Sequence, residues 1–220
     1  MKEFCHCLEK GAEALGLNVS PDHTGLLAAH ARELMLWNAK MNLTAITDIR
    51  LVAYKHFVDA LAAARFLDRP ARIMDIGSGT GFPAVPMKVV CPDLDVTMVD
   101  AVRKKVSFLN HVVRTLKLDN ISALHARVED LARDSGHFQM YDAVMARGFA
   151  DLGKLAKLAC PMLGPGGRIY ALKGANALEE ITPELEAQFH IIHKPYHLPF
   201  VNAQRIVLIL EIRQAYASAL

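Results

Sequence analysis

The pattern of apolar and polar positions divides the chain into an N-terminal helical part and an alternating part. Apolar residues between Leu26 and Trp37 recur at helical spacing. Ser20-Pro21-Asp22 supplies an N-terminal cap and a first-turn proline just before them, and a further helix is predicted from about Ile49 to Phe66. Residues 1–68 are therefore expected to form a helical region that packs on the rest of the chain.

After Arg69-Pro70, short apolar runs alternate with helical patterns. Alternation implies a parallel sheet with helices on both faces. The last two predicted strands are joined by about ten residues without a helical pattern, too few for a parallel crossover, so an antiparallel last strand is expected. Residues 69–220 are thus predicted to form an α/β domain with a Rossmann-like, seven-stranded, mostly parallel sheet. The predicted strands are 71–76, Asp95–Val99, Ile121–His125, Tyr141–Ala146, Arg168–Leu172, Phe189–Lys194 and Arg205–Ile212; the helices are near Pro83–Val90, Lys104–Leu116, Val128–Ala132, Asp151–Met162 and Ala175–Ala187.

Composition narrows the setting of the protein without defining its reaction. Hydrophobic residues make up 52% and charged residues 22% of the chain, as expected of a folded protein. With 25 basic and 23 acidic residues the net charge is only +2, so nucleic-acid binding would need a local basic patch. Four scattered cysteines fit free thiols in a reducing cytoplasm. Because there is neither a signal-peptide pattern nor an apolar run of about 18 residues, a cytoplasmic protein without a membrane segment is expected.

A glycine-rich turn follows the first predicted strand. Gly77, Gly79 and Gly81 alternate directly after Asp75-Ile76, and a helical pattern begins soon after them. Glycines let the backbone bend sharply and let a ligand approach it, and a helix start offers unpaired N–H groups. Asp100 ends the second strand, 19 residues after Gly81, where an acid can accept hydrogen bonds from both hydroxyls of a ribose. A nucleotide cofactor is therefore predicted at the carboxyl ends of these strands.

The glycine spacing favours S-adenosylmethionine over a dinucleotide. A dinucleotide fingerprint is Gly-x-Gly-x-x-Gly, whereas here the third glycine comes one position early and Phe82 follows it. Asp75 adds an acid two residues before the first glycine, and S-adenosylmethionine carries an amino-acid tail instead of a pyrophosphate. An NAD-dependent oxidoreductase is the alternative. The residues predicted to bind S-adenosylmethionine are Asp75, Gly77, Gly79, Gly81 and Asp100.

A longer set of motifs extends from Trp37 to Ile212. It comprises Asn42-Leu43-Thr44, His56 with Asp59, the stretch from Asp75 to Pro83, Lys104-Lys105 with Phe108-Leu109, Arg127-Val128-Glu129, Arg147 with Phe149-Ala150, Gly166-Gly167 and Lys173-Gly174. In these motifs the chain resembles the RsmG (GidB) small-subunit ribosomal RNA methyltransferases. The resemblance implies an S-adenosylmethionine-dependent methyltransferase fold, methylation of N7 of one guanosine in the decoding-region loop of bacterial 16S rRNA, and 16S rRNA or the small ribosomal subunit as partner. Carried over by motif, the cofactor contacts are Gly77, Phe82, Val128, Glu129 and Arg147.

The implied chemistry needs few protein groups. N7 of guanine carries a lone pair, so attack on a sulfonium methyl group needs no general base, and alignment of donor and acceptor would suffice. No catalytic residue is therefore predicted with certainty. Arg147, just past the fourth strand, is the candidate for positioning an anion or a base, with a surface salt bridge as the alternative.

Basic residues cluster at one helix start, where the helix dipole disfavours cations. These are Arg103, Lys104 and Lys105, and Lys173 and Arg205 would extend the patch; all are predicted to contact RNA backbone, with a solvated helix face as the alternative. Besides the NAD-dependent oxidoreductase, two rival functions remain: a methyltransferase with a protein or small-molecule acceptor, and an RNA-binding module without catalysis. The histidines between His190 and His197 fall in a strand and a loop, so no metal site is expected. A monomer is expected.

Overall fold

A seven-stranded sheet runs through the molecule in the order β3-β2-β1-β4-β5-β7-β6. The computed structural model describes residues 1–68 and 72–217. Strands β1 to β5 are parallel, and β7 runs antiparallel between β5 and β6, which confirms the predicted α/β fold. The strands are β1 (Arg72–Ile76), β2 (Asp95–Asp100), β3 (Ile121–His125), β4 (Tyr141–Arg147), β5 (Leu163–Gly174), β6 (Phe189–Leu198) and β7 (Ala203–Ile212).

Helices cover both faces of the sheet. Along β1, Ile73 packs into one core and Met74 into the other, because successive side chains of a strand point to opposite faces. The first core includes α1, α2 and α6, through Phe4, Leu34 and Phe108. The helices are α1 (Lys2–Ala14), α2 (Pro21–Met41), α3 (Ile49–Val52), α4 (Asp59–Ala64), α5 (Ala84–Val90), α6 (Arg103–Leu116), α7 (Val128–Leu131), α8 (Leu152–Ala159), α9 (Pro183–Gln188) and α10 (Gln214–Ala217).

The helix predicted from Ile49 to Phe66 is interrupted in the structure. Residues 53–58 form a π-helical turn between α3 and α4, and α4 ends at Ala64. Such turns are often found inside helices at functional sites, and this one carries His56. The predicted boundary at Arg69-Pro70 lies outside the described residues.

Several other predicted elements have different bounds. Strand β6 continues past the predicted Lys194 to Leu198, so His197 lies in a strand and not in a loop. The predicted helix over 175–187 is a 3₁₀ turn followed by α9. Thr182 precedes Pro183, which disfavours helical backbone at position 182, and the Thr182 hydroxyl instead accepts a hydrogen bond from the Leu185 amide at 3.4 Å. Strand β5 begins at Leu163 rather than Arg168, because the stretch Gly164-Pro165-Gly166-Gly167 forms a bulge against β4. Among the described residues, no helix is long and apolar enough to cross a membrane.

Candidate active site

The glycine loop is fastened to the neighbouring strand by its own backbone. The amides of Gly77 and Ser78 both donate to the Val99 carbonyl of β2, at 2.8 and 3.1 Å. Gly77, Gly79 and Gly81 have positive φ angles of 70°, 58° and 89°. Side chains disfavour this left-handed region, whereas glycine enters it freely. The alternating glycines therefore let the chain turn sharply between β1 and α5.

Asp100 holds the same loop from the end of β2. Its Oδ2 accepts a hydrogen bond from the Gly79 amide at 2.9 Å, and its Oδ1 accepts one from the Val102 amide at 2.8 Å. Lys105 Nζ lies 3.7 Å from Oδ2. A carboxylate has about four acceptor positions, so Asp100 keeps capacity for a ligand hydroxyl. The sequence predicted that Asp100 contacts a ligand, but not that Asp100 holds the glycine loop through the Gly79 amide.

A pocket of about 310 Å³ opens at the carboxyl ends of the first strands and is called here the glycine-loop pocket. Its lining includes Gly77, Asp100, Val128, Glu129 and Phe149. A Cβ at position 77 would lie 2.9 Å from Phe149 Cδ2, so the lining leaves no room for a side chain there. An acid, bare backbone and apolar walls at this place fit a nucleoside-bearing cofactor such as S-adenosylmethionine.

Three other predicted cofactor residues support this pocket without lining it, as far as the described residues show: Asp75, Gly79 and Gly81. Asp75 is fully buried, and neither of its carboxylate oxygens has a hydrogen-bond partner among the described residues. Burial raises the pKa of Asp75 to about 7, against smaller opposing contributions from Ser78, Arg147 and the backbone at Ala84. A Cβ at position 81 would lie 2.7 Å from Val85 Cγ2, which requires glycine there as well.

Phe82 is the middle ring of an aromatic stack. It is buried between His30 and His56, with ring centroids at 5.0 and 4.8 Å and interplanar angles of 16° and 20°. His30 Nε2 donates to the Thr80 carbonyl of the glycine loop at 3.0 Å. Phe82 thus packs in the core behind the loop, and its predicted contact with the cofactor stays a prediction.

Arg147 lies at the end of β4 and points into a polar network. Its Nη2 donates to His56 Nδ1 at 3.1 Å, and its Nη1 donates to the Lys55 carbonyl at 3.1 Å and lies 3.4 Å from Asp59 Oδ2. Burial, and then the charge of Arg147, lowers the pKa of His56 to about 3. The imidazole is therefore neutral near pH 7 and can accept this hydrogen bond. A surface salt bridge, the alternative reading of Arg147, does not describe these contacts.

Asp59 joins this network to the antiparallel end of the sheet. The carboxylate is buried, accepts a hydrogen bond from the Tyr196 hydroxyl at 2.8 Å, and lies 3.6 Å from Arg205 Nε. Tyr196 and Arg205 are cross-strand partners on β6 and β7. The sequence did not single out Tyr196 or Lys55. Only the register of β6 against β7 brings Tyr196 here, and that register is not visible in a local motif.

These groups surround a second pocket of about 320 Å³, called here the basic pocket. Lys55, Arg147, Lys173 and Arg205 are among its lining residues. Gly148, directly after Arg147, lines both this pocket and the glycine-loop pocket. The two pockets are therefore neighbours along the carboxyl edge of the sheet. Arg147 lines the basic pocket, and its contact with the cofactor stays a prediction.

The residues predicted to contact RNA fall into two groups. Lys173 and Arg205 line the basic pocket, and Lys173 Nζ also pairs with Glu180 at 2.6 Å. The other three stand at the start of α6. There Arg103 is exposed, while Lys104 Nζ donates to the Met41 carbonyl, at the end of α2, at 2.7 Å. Their contact with RNA stays a prediction. Within the described part of the chain, no cluster of histidine, cysteine and acidic residues could hold a metal ion.

Comparisons with known proteins agree with this arrangement. The family model described as rRNA small subunit methyltransferase G matches residues 24–208. Two relatives carry the name Ribosomal RNA small subunit methyltransferase G. The one from Geobacter metallireducens is 39% identical over 92% of this chain and 94% of its own length, and the one from Oceanobacillus iheyensis is 37% identical over 97% and 91%.

Solved structures share the fold. A ribosomal protein L11 methylase from Lactobacillus delbrueckii subsp. bulgaricus superposes with a TM-score of 0.55 at 17% identity, covering 73% of this chain and 79% of its own. TYW2 from Pyrococcus horikoshii, crystallised in complex with MeSAdo, superposes with a TM-score of 0.54 at 14% identity, covering 71% and 62%. At these identities the likeness concerns the fold.

Proposed function

Because the chain belongs to the rRNA small subunit methyltransferase G family, we propose that it methylates N7 of one guanosine in the decoding-region loop of 16S rRNA. Methyl transfer and S-adenosylmethionine as the cofactor follow from the family and the fold. The guanine, its N7 atom and the decoding-region loop are the proposed part. The acceptor RNA would be free or assembled in the small ribosomal subunit, within the cytoplasm.

The glycine-loop pocket would hold the cofactor. S-adenosylmethionine supplies a methyl group on a positively charged sulfur. Gly77 leaves the backbone bare where an added Cβ would meet Phe149, and Asp100 has acceptor positions left for ribose hydroxyls after binding the Gly79 and Val102 amides. Val128 and Glu129 line the same pocket beyond β3. These residues bind and orient, and none is required to move a proton.

The observation that carries the proposal is that Gly148 lines both pockets. An acceptor in the basic pocket would be adjacent to a donor in the glycine-loop pocket, so the protein could align both. Arginine donors suit the O6 acceptor of guanine, and the cations around Arg147 suit phosphates.

The groups of the basic pocket are poor general bases in this arrangement. His56 is neutral, but its Nδ1 lone pair already accepts from Arg147. Asp59 is engaged by the Tyr196 hydroxyl and by two arginines. An acceptor atom that brings its own lone pair, such as guanine N7, is compatible with such a site. An acceptor atom that must first lose a proton is less compatible with this site, because its proton would have no free base to go to.

The test uses small subunits from a strain lacking this protein. The purified protein and S-adenosylmethionine with a labelled methyl group should label their 16S rRNA, and mass mapping should place the label on N7 of one decoding-loop guanosine. Full N7 methylation at that guanosine in the deletion strain would refute the proposal. Label on a protein or a small molecule would favour the rival acceptor. Equilibrium binding of NAD in place of S-adenosylmethionine would favour the oxidoreductase.

A further inference from the structure

The tip of the β6–β7 hairpin presents one aromatic ring to solvent. Phe200 is 63% exposed, the largest value among the exposed large hydrophobic side chains of the described residues. Its φ is +64°, in the left-handed region that bulky side chains avoid. Glycine or asparagine would fit this turn with less strain. A strained, exposed aromatic residue in a turn suggests that the ring serves another purpose than folding.

This ring stands at the tip of the hairpin whose strands contribute to the lining of the basic pocket. Its centroid is 5.2 Å from that of Tyr54, which is buried, and the next residue, Lys55, lines the basic pocket. The strands of the hairpin supply Tyr196 and Arg205 to the same pocket. The Leu198–Ala203 pair that closes the hairpin is two residues farther along, or about 7 Å at roughly 3.4 Å per residue.

We propose that Phe200 is a stacking platform for an RNA base that neighbours the nucleotide held in the basic pocket. The inference rests on the proposed function and extends it to the surroundings of the target nucleotide. Single-stranded RNA is bound by aromatic rings on which bases stack, next to cations that hold the backbone. Phe200 supplies the ring, and Lys55, Lys173 and Arg205 supply the cations.

Charge and shape select RNA over a protein partner at this place. The basic pocket is lined by four cationic side chains, those of Lys55, Arg147, Lys173 and Arg205, and by one carboxylate, that of Asp59. This balance suits a polyanion. Tyr54 packs against the ring at an interplanar angle of 35°, and the ring keeps enough exposed surface for a planar partner. Phe138 offers a comparison, because it is 54% exposed but precedes β4, at the edge of the sheet opposite the pockets.

The experiment compares Phe200→Ala, Phe200→Trp and the matched control Phe138→Ala. Phe200→Ala should raise KM for small subunits roughly 5- to 150-fold, because stacking on an aromatic side chain carries that much affinity per base. Its kcat and its Kd for S-adenosylmethionine should be unchanged, and the salt dependence of RNA binding should keep its slope, because no charge is lost. Phe200→Trp should retain the wild-type KM, and Phe138→Ala should change none of these values.

A direct readout of stacking separates this inference from the proposed function. In a Trp37→Phe background, which removes the one native tryptophan of the chain, the indole emission of Phe200→Trp should be quenched when an oligoribonucleotide with the decoding-loop sequence is added. Phe138→Trp in the same background should not respond. Quenching without any methylation would retain the stacking platform and refute the proposed function. An unchanged KM in Phe200→Ala, or an unquenched Phe200→Trp, would overturn the platform. So would an effect seen with assembled subunits but not with naked rRNA, which would indicate a ribosomal protein as the partner.

Discussion

The two neighbouring pockets are built in different ways. The glycine-loop pocket is shaped by backbone: three glycines with positive φ angles and strand amides that hold the loop. The basic pocket is shaped by side chains from the π-helical turn, β4, β6 and β7, around the buried Asp59. The first is contiguous in sequence and shows as a motif. The second exists only after the sheet is assembled, so its members are far apart along the chain.

The pockets also differ in the buried titratable group on which each depends. Below the glycine loop, Asp75 is a carboxyl without a hydrogen-bond partner among the described residues. Beside the basic pocket, His56 is an imidazole next to a guanidinium. Burial raises the pKa of the acid and lowers the pKa of the base. The two groups should therefore give stability opposite dependences on pH.

The largest expected effect is at His56. Its pKa falls from 6.5 to about 3, so between these values the unfolded chain binds more protons. The contribution of His56 to the free energy of unfolding is fully present above pH 6.5. It is lost as pH falls toward 3, and the total loss is about 5 kcal/mol. His56→Asn keeps an acceptor for Arg147 but does not titrate. In urea unfolding between pH 7.5 and 4.5, the free energy of unfolding of this variant should fall less than that of the wild type; parallel curves would contradict the assignment.

Asp75 should give the opposite slope. Its pKa rises from 3.8 to about 7, so here the folded chain binds more protons. The contribution of this carboxyl to the free energy of unfolding is fully present below pH 3.8. About 4 kcal/mol of that free energy is lost as pH rises through 7. Asp75→Asn removes the ionisation. Its free energy of unfolding relative to the wild type should increase from pH 4 to pH 8, as measured by the same urea titrations. A difference that is constant with pH would show that this carboxyl does not titrate in that range.

Arg147→Lys tests the side-chain-built pocket. Lysine keeps the charge but cannot make the forked contacts to His56 and to the Lys55 carbonyl. Loss of such charge-assisted hydrogen bonds corresponds to about 3 kcal/mol, or roughly 100-fold in kcat/KM for rRNA methylation. The Kd for S-adenosylmethionine should stay at its wild-type value, because Arg147 lines only the basic pocket. A large rise in that Kd would instead place Arg147 at the cofactor.

Gly77→Ala tests the backbone-built pocket. A methyl group at φ +70° meets the left-handed penalty and lies 2.9 Å from Phe149 Cδ2. The substitution is expected to destabilise this loop conformation by about 2 kcal/mol. That cost corresponds to roughly 30-fold weaker binding of S-adenosylmethionine, which calorimetry would measure. Gly25→Ala is the matched control, because nothing lies within 4 Å of the added Cβ in helix α2. Equal affinity in both variants would mean that the loop adapts.

Sequence reasoning reached the parts that are local. Alternation gave the sheet, and the Gly77–Gly81 spacing with Asp100 gave the pocket at its edge. It did not reach Tyr196, because its partner Asp59 is 137 residues away and only the β6–β7 register joins them. It did not foresee the π-helical turn, since apolar spacing looks the same for a helix with one widened turn. The predicted fifth strand begins only at Arg168, whereas β5 begins at Leu163, because glycine-rich stretches usually end strands and this one forms a bulge instead.

The smallest expected effect concerns the cations at the start of α6. Arg103 and Lys104 are both exposed, but Lys104 Nζ already donates to the Met41 carbonyl at the end of α2. Lys104→Met keeps the aliphatic stem and removes the cation from that helix end, so about 0.5–1 kcal/mol of stability should be lost in chemical denaturation. Arg103→Met should leave stability unchanged and, if Arg103 meets a phosphate, reduce the slope of log K for RNA against log salt by about one. Lys104→Met could instead reduce the slope of log K for RNA against log salt and leave the free energy of unfolding unchanged. That result would mean that Lys104 gives up its hydrogen bond to the Met41 carbonyl when it binds RNA.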